Sequence, residues 1–342
     1  MAKPRFLVLR LGSLGDIVHT FPAVAGLRES FPHAEITWLT HPRWVSLVES
    51  SSLASEVWAV ESRSLASVTG VVRRLRQAHW DAAIDYQGLW KTALLPLLGG
   101  VKRRLGFSSE TIREFAVPLL YTDRVRCITT HIADQNGELS LRAGSRRGTS
   151  NFDLCVSSDD GPEVAGFLRG AGLERYIVLS PGGGWRSKCW PPDRFGELCC
   201  RIRQTLGLRC VVNYGPGEDD LAHAVRTASR DAAPLLYNGE LGPLMALLRN
   251  ALCIVGGDTG PLHLAIALGT PAIALFGPTD PARNGPYPRR VPSGATANED
   301  IVIRARDSVT THRRGDAPGP SMLAIEVEAV LDVVRRRIGS PV

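Results

Sequence analysis

The chain has 342 residues, 44% of them hydrophobic and 22% charged, with a formal net charge of +6. That composition is typical of a globular protein, and the length is sufficient for two domains. No apolar run approaches the roughly 18 residues of a membrane-spanning helix, and the N-terminus acquires charges too early for a signal peptide. The seven cysteines form neither a C-x-x-C pair nor a disulfide-like spacing, which predicts reduced thiols in a cytoplasmic protein and no metal site.

Short apolar runs alternate with helical patterns along both halves of the chain. Alternation of this kind predicts an α/β fold with two doubly wound, Rossmann-like domains of parallel strands, facing each other across a cleft. The predicted strands are FLVLRL (6–11), EITWL (35–39), EVWAV (56–60), AAIDY (82–86), YIVLSPG (176–182), CVVNYG (210–215), CIVGG (253–257) and AIALFG (272–277). Polar stretches at 142–151 and 157–163 predict a boundary, which gives domains at 1–155 and 156–342.

The first strand leads into a glycine-bearing turn, Gly12 to Gly15, and a helix is predicted from about Ile17. A strand, glycine turn and helix usually indicate a phosphate held at the helix N-terminus. Asp16 stands at that position, where its charge would repel a pyrophosphate. The second and third glycines of G-x-G-x-x-G are also absent, so a dinucleotide-dependent dehydrogenase is disfavoured. Asp16 is either a helix cap or a chemical group facing a ligand.

Two segments of the second half indicate an anion site. SPGGGWRSKCWP (180–191) follows a strand with three glycines, whose amides can point at oxygens, and Lys188 adds a positive charge. In GGDTGPLHLAIALG (256–269) a helix is predicted from about Pro261, and the amides of Thr259 and Gly260 can meet an anion there.

Several acidic and basic groups near these segments have two interpretations each. Asp258 either caps the helix or faces the ligand, and His263 either satisfies a core hydrogen bond or reaches the same ligand. Glu218 either begins a charged helix or holds the ribose of a nucleotide. Lys188 itself could be an incidental surface lysine.

Four blocks together resemble the bacterial family 9 glycosyltransferases, the ADP-heptose:lipopolysaccharide heptosyltransferases. The blocks are GSLGDIVHTFPA (12–23), DYQGLWKTALL (85–95), SPGGGWRSKCWP (180–191) and GGDTGPLHLAIALGTPAIALFGPTDP (256–281). The second block is more similar to heptosyltransferase I than to II. The resemblance implies a GT-B fold with an N-terminal acceptor domain and a C-terminal donor domain. It also implies that the final helix, about residues 322–338, can pack back on the first domain.

The same resemblance implies an inverting sugar transfer without a metal or other cofactor, and the sequence contains no D-x-D pair of carboxylates. Asp16 matches the family's proposed catalytic base, and a general base is worth roughly 10²–10⁴-fold in rate. Lys188 and the amides of Thr259 and Gly260 would neutralise the leaving diphosphate. The predicted donor-site residues are Gly183, Gly184, Lys188, Glu218, Asp258, Thr259, Gly260 and His263. Gly183 and Gly184 replace hydroxyl side chains of the first heptosyltransferase.

On the acceptor side, QGLWK (87–91) and KRRLGFSSETIRE (102–114) resemble family segments that face the acceptor sugar. The lipopolysaccharide inner core is rich in carboxylates and phosphates, which basic side chains would contact. The predicted acceptor-site residues are Ser13, Gly15, Gln87, Lys91, Arg104 and Arg113. Exposed, salt-bridging side chains are the alternative interpretation for the basic members of this set.

Basic clusters lie at 73–76, 102–104 and 335–337. They are either solvated helix faces or sites of attraction to an anionic surface or substrate. Nucleic acid is disfavoured, because no aromatic interleaving accompanies them. The leading prediction is a heptosyltransferase peripheral to the cytoplasmic face of the inner membrane, acting on a lipid A–Kdo acceptor. Alternatives are a family 9 enzyme with another nucleotide sugar or glycan, a sugar-nucleotide epimerase, and a catalytically silent relative that binds such ligands.

Overall fold

The computed structural model describes residues 3–112, 114–146, 152–288, 300–311 and 314–339. The chain divides into two compact units, Met1–Cys155 and Val156–Val342. Each unit is an α/β layered structure around one parallel sheet, and the two are described separately below.

The first unit contains, within its described residues, a six-stranded parallel sheet in the order β3-β2-β1-β4-β5-β6. The strands are β1 (Arg5–Leu9), β2 (Glu35–Thr40), β3 (Glu56–Ala59), β4 (Ala82–Asp85), β5 (Arg104–Phe107) and β6 (Asp123–Val125). The helices are α1 (Leu14–Val18), α2 (Phe21–Ser30), α3 (Val45–Glu49), α4 (Leu65–Arg76), α5 (Trp90–Leu98) and α6 (Ile132–Ala143), with 3₁₀ turns at Pro42–Trp44 and Val117–Leu120. Side chains of β1, β2 and β4 are almost wholly buried, as expected for strands covered by helices on both faces.

The second unit repeats this plan over the part of the chain described there, with a six-stranded parallel sheet in the order β12-β11-β10-β7-β8-β9. Its strands are β7 (Tyr176–Ser180), β8 (Arg209–Asn213), β9 (Leu235–Tyr237), β10 (Ile254–Gly257), β11 (Ala272–Phe276) and β12 (Ile301–Arg304). Its helices are α7 (Gly161–Gly170), α8 (Pro192–Leu206), α9 (Asp219–Ala228), α10 (Leu241–Arg249), α11 (Gly260–Leu268), α12 (Pro281–Asn284), α13 (Pro320–Leu323) and α14 (Val327–Ile338), with 3₁₀ turns at Arg186–Lys188 and Arg230–Ala232.

Both sheets therefore share one strand order. Counted within each unit, it is the doubly wound order 3-2-1-4-5-6, and the two doubly wound α/β units predicted from the sequence are confirmed. The order reverses between β1 and β4 in the first unit and between β7 and β10 in the second. Turns that leave these strands lie at the switch points, where ligands of open α/β sheets bind.

All eight predicted strands are present, but β5, β6, β9 and β12 were missed. These four are three or four residues long, and β6, β9 and β12 are outermost in their sheets. Their side chains are only partly buried in β6 and β12, so the apolar run that marks a central strand is absent from them. β5 lies within the segment interpreted above as facing the acceptor.

The last helix, α14, packs on α8 of the second unit. Its side chains Val330, Leu331 and Val334 are fully buried in a core that also includes Trp190 and Phe195. No helix among the described residues is long and apolar enough to cross a bilayer.

Candidate active site

The turn after β1 positions Asp16 as the third residue of α1, which begins at Leu14 rather than near Ile17. Ser13 precedes the helix, and its backbone amide and hydroxyl both donate to Asp16 Oδ2, at 2.8 and 3.1 Å. The bond from the Ser13 amide to the carboxylate of the third helical residue is the one that a capping box makes, and it satisfies an amide that would otherwise be unpaired at the start of the helix. Gly12 just before it has a φ of +152°, and a Cβ there would approach Trp44 Nε1 to 2.9 Å. Asp16 is therefore a capping residue.

The other oxygen of the same carboxylate is held by Arg10, a residue that the sequence analysis missed. Arg10 Nη2 lies 2.7 Å from Asp16 Oδ1, and its Nη1 donates to the carbonyl of Tyr86. The Arg10 side chain is 6% exposed, whereas that of Asp16 is 41% exposed. A buried cation thus holds one oxygen of the Asp16 carboxylate, and the side chain remains partly open to solvent. The sequence RLGSLGD could have indicated Arg10, because this arginine directly follows the apolar run of β1 and precedes the turn that carries Asp16.

The turn after β4 is joined to the turn after β1. Gln87 Oε1 accepts the backbone amide of Leu11 at 3.0 Å. The Asp85 carboxylate accepts the amides of Gln87 and Gly88 at 2.9 and 3.2 Å, and the Tyr121 hydroxyl at 2.8 Å. Complete burial raises the pKa of Asp85, although these hydrogen bonds act to lower it. Asp85 therefore anchors the turn that carries Gln87.

The predicted acceptor residues are placed differently from one another. Ser13 and Gly15 are in the turn and first helical turn around Asp16, and Gln87 bonds to that turn. Lys91 is exposed on the first turn of α5. Arg104 has a structural role, because its Nε donates to the Leu120 carbonyl at 2.8 Å and its Nη1 donates to two further carbonyls. Arg113 lies outside the described residues.

In the second unit, Lys188 and Asp258 meet between the ends of β7 and β10. Lys188 Nζ donates to the Asp258 carbonyl and lies 3.6 Å from Asp258 Oδ2. Both side chains are nearly buried, at 11% and 12% exposure. The ammonium also lies 4.7 Å from the centre of the Trp185 ring, a cation–π distance. Lys188 is thus not an incidental surface lysine.

His263 completes a group of three charged or polar side chains with Lys188 and Asp258. His263 Nε2 lies 3.0 Å from Asp258 Oδ1, and the imidazole is buried. Burial alone would raise the pKa of Asp258, but the hydrogen bond with His263 and the charge of Lys188 outweigh it and hold that pKa below its usual range. Asp258 does not cap α11, because Thr259 precedes the helix.

The N-terminus of α11 presents the amides of Thr259 and Gly260 beside Asp258, as the sequence predicts. The Thr259 hydroxyl is buried and has no hydrogen-bond partner among the described residues. A buried polar group without a partner is costly, and an anion that accepts its hydrogen bond would relieve that cost.

The glycine loop after β7 is tied down by Glu218. Its carboxylate accepts the Gly183 amide at 3.2 Å and the Gly215 amide at 2.8 Å. A Cβ on Gly182 would collide with the same carboxylate, so a side chain there would displace Glu218 from its present position. Gly184 is exposed and has open space around its Cα. In this conformation Glu218 holds the loop itself, and the predicted ribose contact would require it to exchange partners.

A second cation of this site, Arg314, was also missed from the sequence. Its guanidinium carbon lies 5.3 Å from the centre of the Trp185 ring, which Lys188 also contacts. The segment after it packs on the Lys188 loop, since the amides of Gly315 and Gly319 donate to Ser187. No motif marked Arg314 in the sequence.

Comparison with known proteins identifies the chain. The family model of glycosyltransferase family 9 (heptosyltransferase) matches residues 68–300. The chain belongs to glycosyltransferase family 9. It is therefore a sugar-transferring enzyme by family. A relative, the lipopolysaccharide heptosyltransferase 1 of Salmonella typhimurium, is 30% identical over 298 residues, which span 83% of this chain and 91% of the relative.

Solved structures of the family have the same fold. The family 9 glycosyltransferase of Veillonella parvula is similar with a TM-score of 0.84 and 23% identity, over 99% of this chain and 98% of that one. The E. coli heptosyltransferase WaaC, solved with ADP, is similar with a TM-score of 0.76 and 22% identity, over 97% and 99% of the two chains. These likenesses confirm the GT-B fold class. Among the described residues, no group of three or more His, Cys, Asp and Glu side chains is placed to hold a metal ion.

Proposed function

We propose that this family 9 enzyme moves heptose from ADP-heptose to the Kdo region of the lipopolysaccharide inner core, with inversion and without a metal. The observation that carries the proposal is the nearly buried Lys188 beside the α11 N-terminus, where the Thr259 hydroxyl has no partner in the described chain. Such a site suits the diphosphate of a nucleotide sugar. Support for heptose and lipopolysaccharide comes from the name of the Salmonella relative, and support for ADP from the E. coli structure.

Asp16 is the proposed general base. In an inverting transfer the acceptor hydroxyl attacks the anomeric carbon from the face opposite the diphosphate, and it must lose its proton as it attacks. The Asp16 carboxylate is held by Arg10 and Ser13 at 2.7 and 2.8 Å, yet remains 41% exposed. A fixed and accessible carboxylate can meet a hydroxyl without first reorganising. The capping role and the catalytic role are compatible, because each uses different lone pairs.

Lys188 is the proposed partner of the leaving diphosphate. Negative charge develops on the phosphate oxygens as the glycosidic bond breaks, and fixed donors aimed there are commonly worth about 3 kcal/mol each. Asp258 holds the Lys188 ammonium in place, and His263 in turn holds Asp258. The amides of Thr259 and Gly260 add the positive end of the α11 dipole. With these donors in place, charge neutralisation needs no metal ion.

A nucleotide titration followed by a transfer assay tests this function. ADP, UDP and GDP are added separately to the purified protein, because a ligand that binds only the folded state raises its melting temperature. Selective stabilisation by ADP, followed by heptose transfer that EDTA leaves unchanged, is the expected result. Strong inhibition by EDTA that Mg²⁺ reverses would overturn the metal-free mechanism.

A second candidate function is transfer from another nucleotide sugar. The favouring observation is that Gly183 and Gly184 bring no hydroxyls to the glycine loop, so that only backbone amides are offered there. Selective stabilisation by UDP or GDP would favour this candidate, with the roles of Asp16 and Lys188 unchanged.

The proposed place of action is the cytoplasmic face of the inner membrane. The seven cysteines are all free, as in proteins of reducing compartments. The proposed acceptor is anchored in a bilayer, so the enzyme would work as a peripheral membrane protein. Fractionation of cells, with the enzyme detected in membrane and soluble fractions at low and high salt, tests this placement.

A further inference from the structure

Helix α5 is apolar on both of its faces. Its inner side chains, among them Ala93 and Leu95, are buried against the first sheet and its neighbours. Its outer side chains recur at positions i, i+4, i+7 and i+8, which form one stripe on a helix. The stripe consists of Trp90, Leu94, Leu97 and Leu98, of which Trp90, Leu97 and Leu98 are 43%, 37% and 47% exposed. A helix in water usually has a polar outer face, and an outer face of this kind indicates a partner.

The segment beside α5 extends this stripe. Val117 and Tyr121 pack with Ala93 of α5 in a small buried cluster. Glu114 fixes the same neighbourhood, because its carboxylate accepts the Trp90 amide at 2.7 Å. Two large side chains of this segment remain outside, Phe115 at 82% and Leu119 at 71% exposure. We call the six residues Trp90, Leu94, Leu97, Leu98, Phe115 and Leu119 the α5 apolar face.

Basic side chains lie near both ends of the helix that carries the α5 apolar face. Arg76, at the end of α4, donates from Nε to the Leu98 carbonyl at 2.9 Å, and the exposed Arg73 lies one helical turn before it. The exposed Lys102 follows α5 and is tied to Leu120 through Arg104, which bonds both backbones. Lys91 is exposed within α5 itself. Glu114 is an acidic residue beside this face, and its carboxylate accepts the Trp90 amide.

We propose that the α5 apolar face docks on the surface of an anionic lipid bilayer. An apolar patch with a tryptophan at its margin and cations around it has the composition of a membrane-interface surface. A second copy of the chain is a poorer occupant, because a two-fold contact of this face would bring the basic rims of both copies together. The proposal rests on the proposed function to the extent that a lipid-linked acceptor requires the enzyme at a bilayer.

Flotation of the whole protein with lipid vesicles tests the proposal without any catalytic step. The vesicles contain either phosphatidylcholine alone or equal parts of phosphatidylcholine and phosphatidylglycerol. The wild-type protein is compared with the double variants Leu97→Gln/Leu98→Gln and Phe115→Gln/Leu119→Gln. Val309→Gln is the matched control, because Val309 is 73% exposed but belongs to the second unit. Circular dichroism and melting temperature establish that each variant is folded.

The expected result is that wild type and Val309→Gln float with the anionic vesicles and that each double variant binds them at least about tenfold more weakly. The variant Arg73→Gln/Lys102→Gln tests the rim. It should lose about fivefold or more in affinity for anionic vesicles and little for neutral ones. Added salt should likewise weaken the binding of the wild type to anionic vesicles and change its binding to neutral vesicles little. Because the substituted side chains are exposed, these variants retain the fold.

Two results would overturn the proposal. One is equal flotation of the wild type and of both double variants, and the other is a wild-type dimer in solution that the double variants convert to monomer, with no vesicle binding. Failure of the proposed function is distinguished separately. Heptose transfer to a water-soluble, delipidated acceptor without flotation leaves the function intact and removes the docking surface, whereas flotation without transfer does the reverse.

Discussion

The two units share one strand order but carry opposite chemistry at their switch points. In the first unit the turn after β1 presents a carboxylate, Asp16, which is 41% exposed and held by a buried arginine. In the second unit the turns after β7 and β10 present a nearly buried lysine, Lys188, held by a nearly buried carboxylate, Asp258. The group presented at the switch point is thus an anion, Asp16, in the first unit and a cation, Lys188, in the second.

This difference follows from residues in the turns, since the sheets are equivalent. An acid as the third residue of α1 bonds to the amide of Ser13 at the N-terminal end of that helix, where an anionic ligand would otherwise bind. The helix α11 has no acid in its first turn, and its Thr259 hydroxyl has no partner in the described part of the chain. One doubly wound plan therefore presents an exposed carboxylate in one place and a lysine beside a helix N-terminus in the other, as expected where function lies in loops.

Removing the Asp16 charge is the strongest way to break the comparison. Asp16→Asn keeps the shape and one capping acceptor but cannot take a proton, so kcat should fall by about 10²–10⁴-fold. The affinity for the nucleotide, derived from the rise in melting temperature, should stay within a few-fold of the wild-type value. This follows because the proposed function assigns the phosphates to the second unit. A large loss of nucleotide binding would instead assign Asp16 to the donor site.

Lys188 offers the corresponding test in the second unit. Lys188→Met retains the length of the side chain without its charge, and kcat should fall by about 10²-fold through loss of diphosphate stabilisation. Lys3→Met, at an exposed position of the first unit, is the matched control in an assay with a water-soluble acceptor. Near-normal rates in Lys188→Met would remove Lys188 from the mechanism.

The sequence was sufficient for the central strands of both sheets and for the residue groups at their switch points. Buried parallel strands are continuous apolar runs, and glycines, Asp and Lys directly after such runs are easily recognised. Lys188, Asp258 and His263 were selected individually, and the structure brings them into one group. Short outer strands such as β9 and β12 were missed, because their exposed sides dilute the apolar pattern.

The partners of the candidate residues could not be predicted, because contacts between turns depend on tertiary packing. Arg104 is an example, since its guanidinium bonds three backbone carbonyls instead of standing free for an acceptor. Glu218 is another, because its carboxylate bonds the amides of two separate loops. The position of Arg10 beneath Asp16 likewise depends on how the turn after β1 folds over the strand that precedes it.

Arg10 sharpens the account of the first unit as a positioning residue. Arg10→Met removes the cation under Asp16 and should lower kcat by about tenfold or more, since misplacing a catalytic group is costly. Arg10→Lys keeps a charge and should recover part of that loss. A purely structural role predicts a lower melting temperature with kcat unchanged where the variant is folded, whereas positioning of Asp16 predicts a lower kcat in the folded variant with the KM for the nucleotide sugar unchanged. Values of kcat and KM for both variants, measured well below their melting temperatures, decide between these outcomes.

Arg314 tests whether the second unit has one cation or two for the donor. Arg314→Ala should raise the KM for the nucleotide sugar by about fivefold, because an exposed charge contributes about 1 kcal/mol to an anionic ligand. The value of kcat should change little, since Lys188 remains. Arg306→Ala, another exposed arginine of the second unit, serves as the control. Equal KM values for the two variants would leave Lys188 as the cation that binds the donor.

The smallest expected effect concerns the stability of the second unit at acid pH. Because His263 and Lys188 hold the pKa of Asp258 below its usual range despite burial, the ionised carboxylate stabilises the folded state at neutral pH. The unfolded chain binds the proton first, at a pH of about 4, and the stabilising contribution is lost as the pH falls further through the folded-state pKa. Asp258→Asn should therefore unfold at lower urea than wild type at pH 7, and the difference should narrow below about pH 4. Asp307→Asn is the matched control, because Asp307 is exposed. A difference between wild type and Asp258→Asn that stays constant with pH would mean that packing, and not charge, joins Asp258 to its two partners.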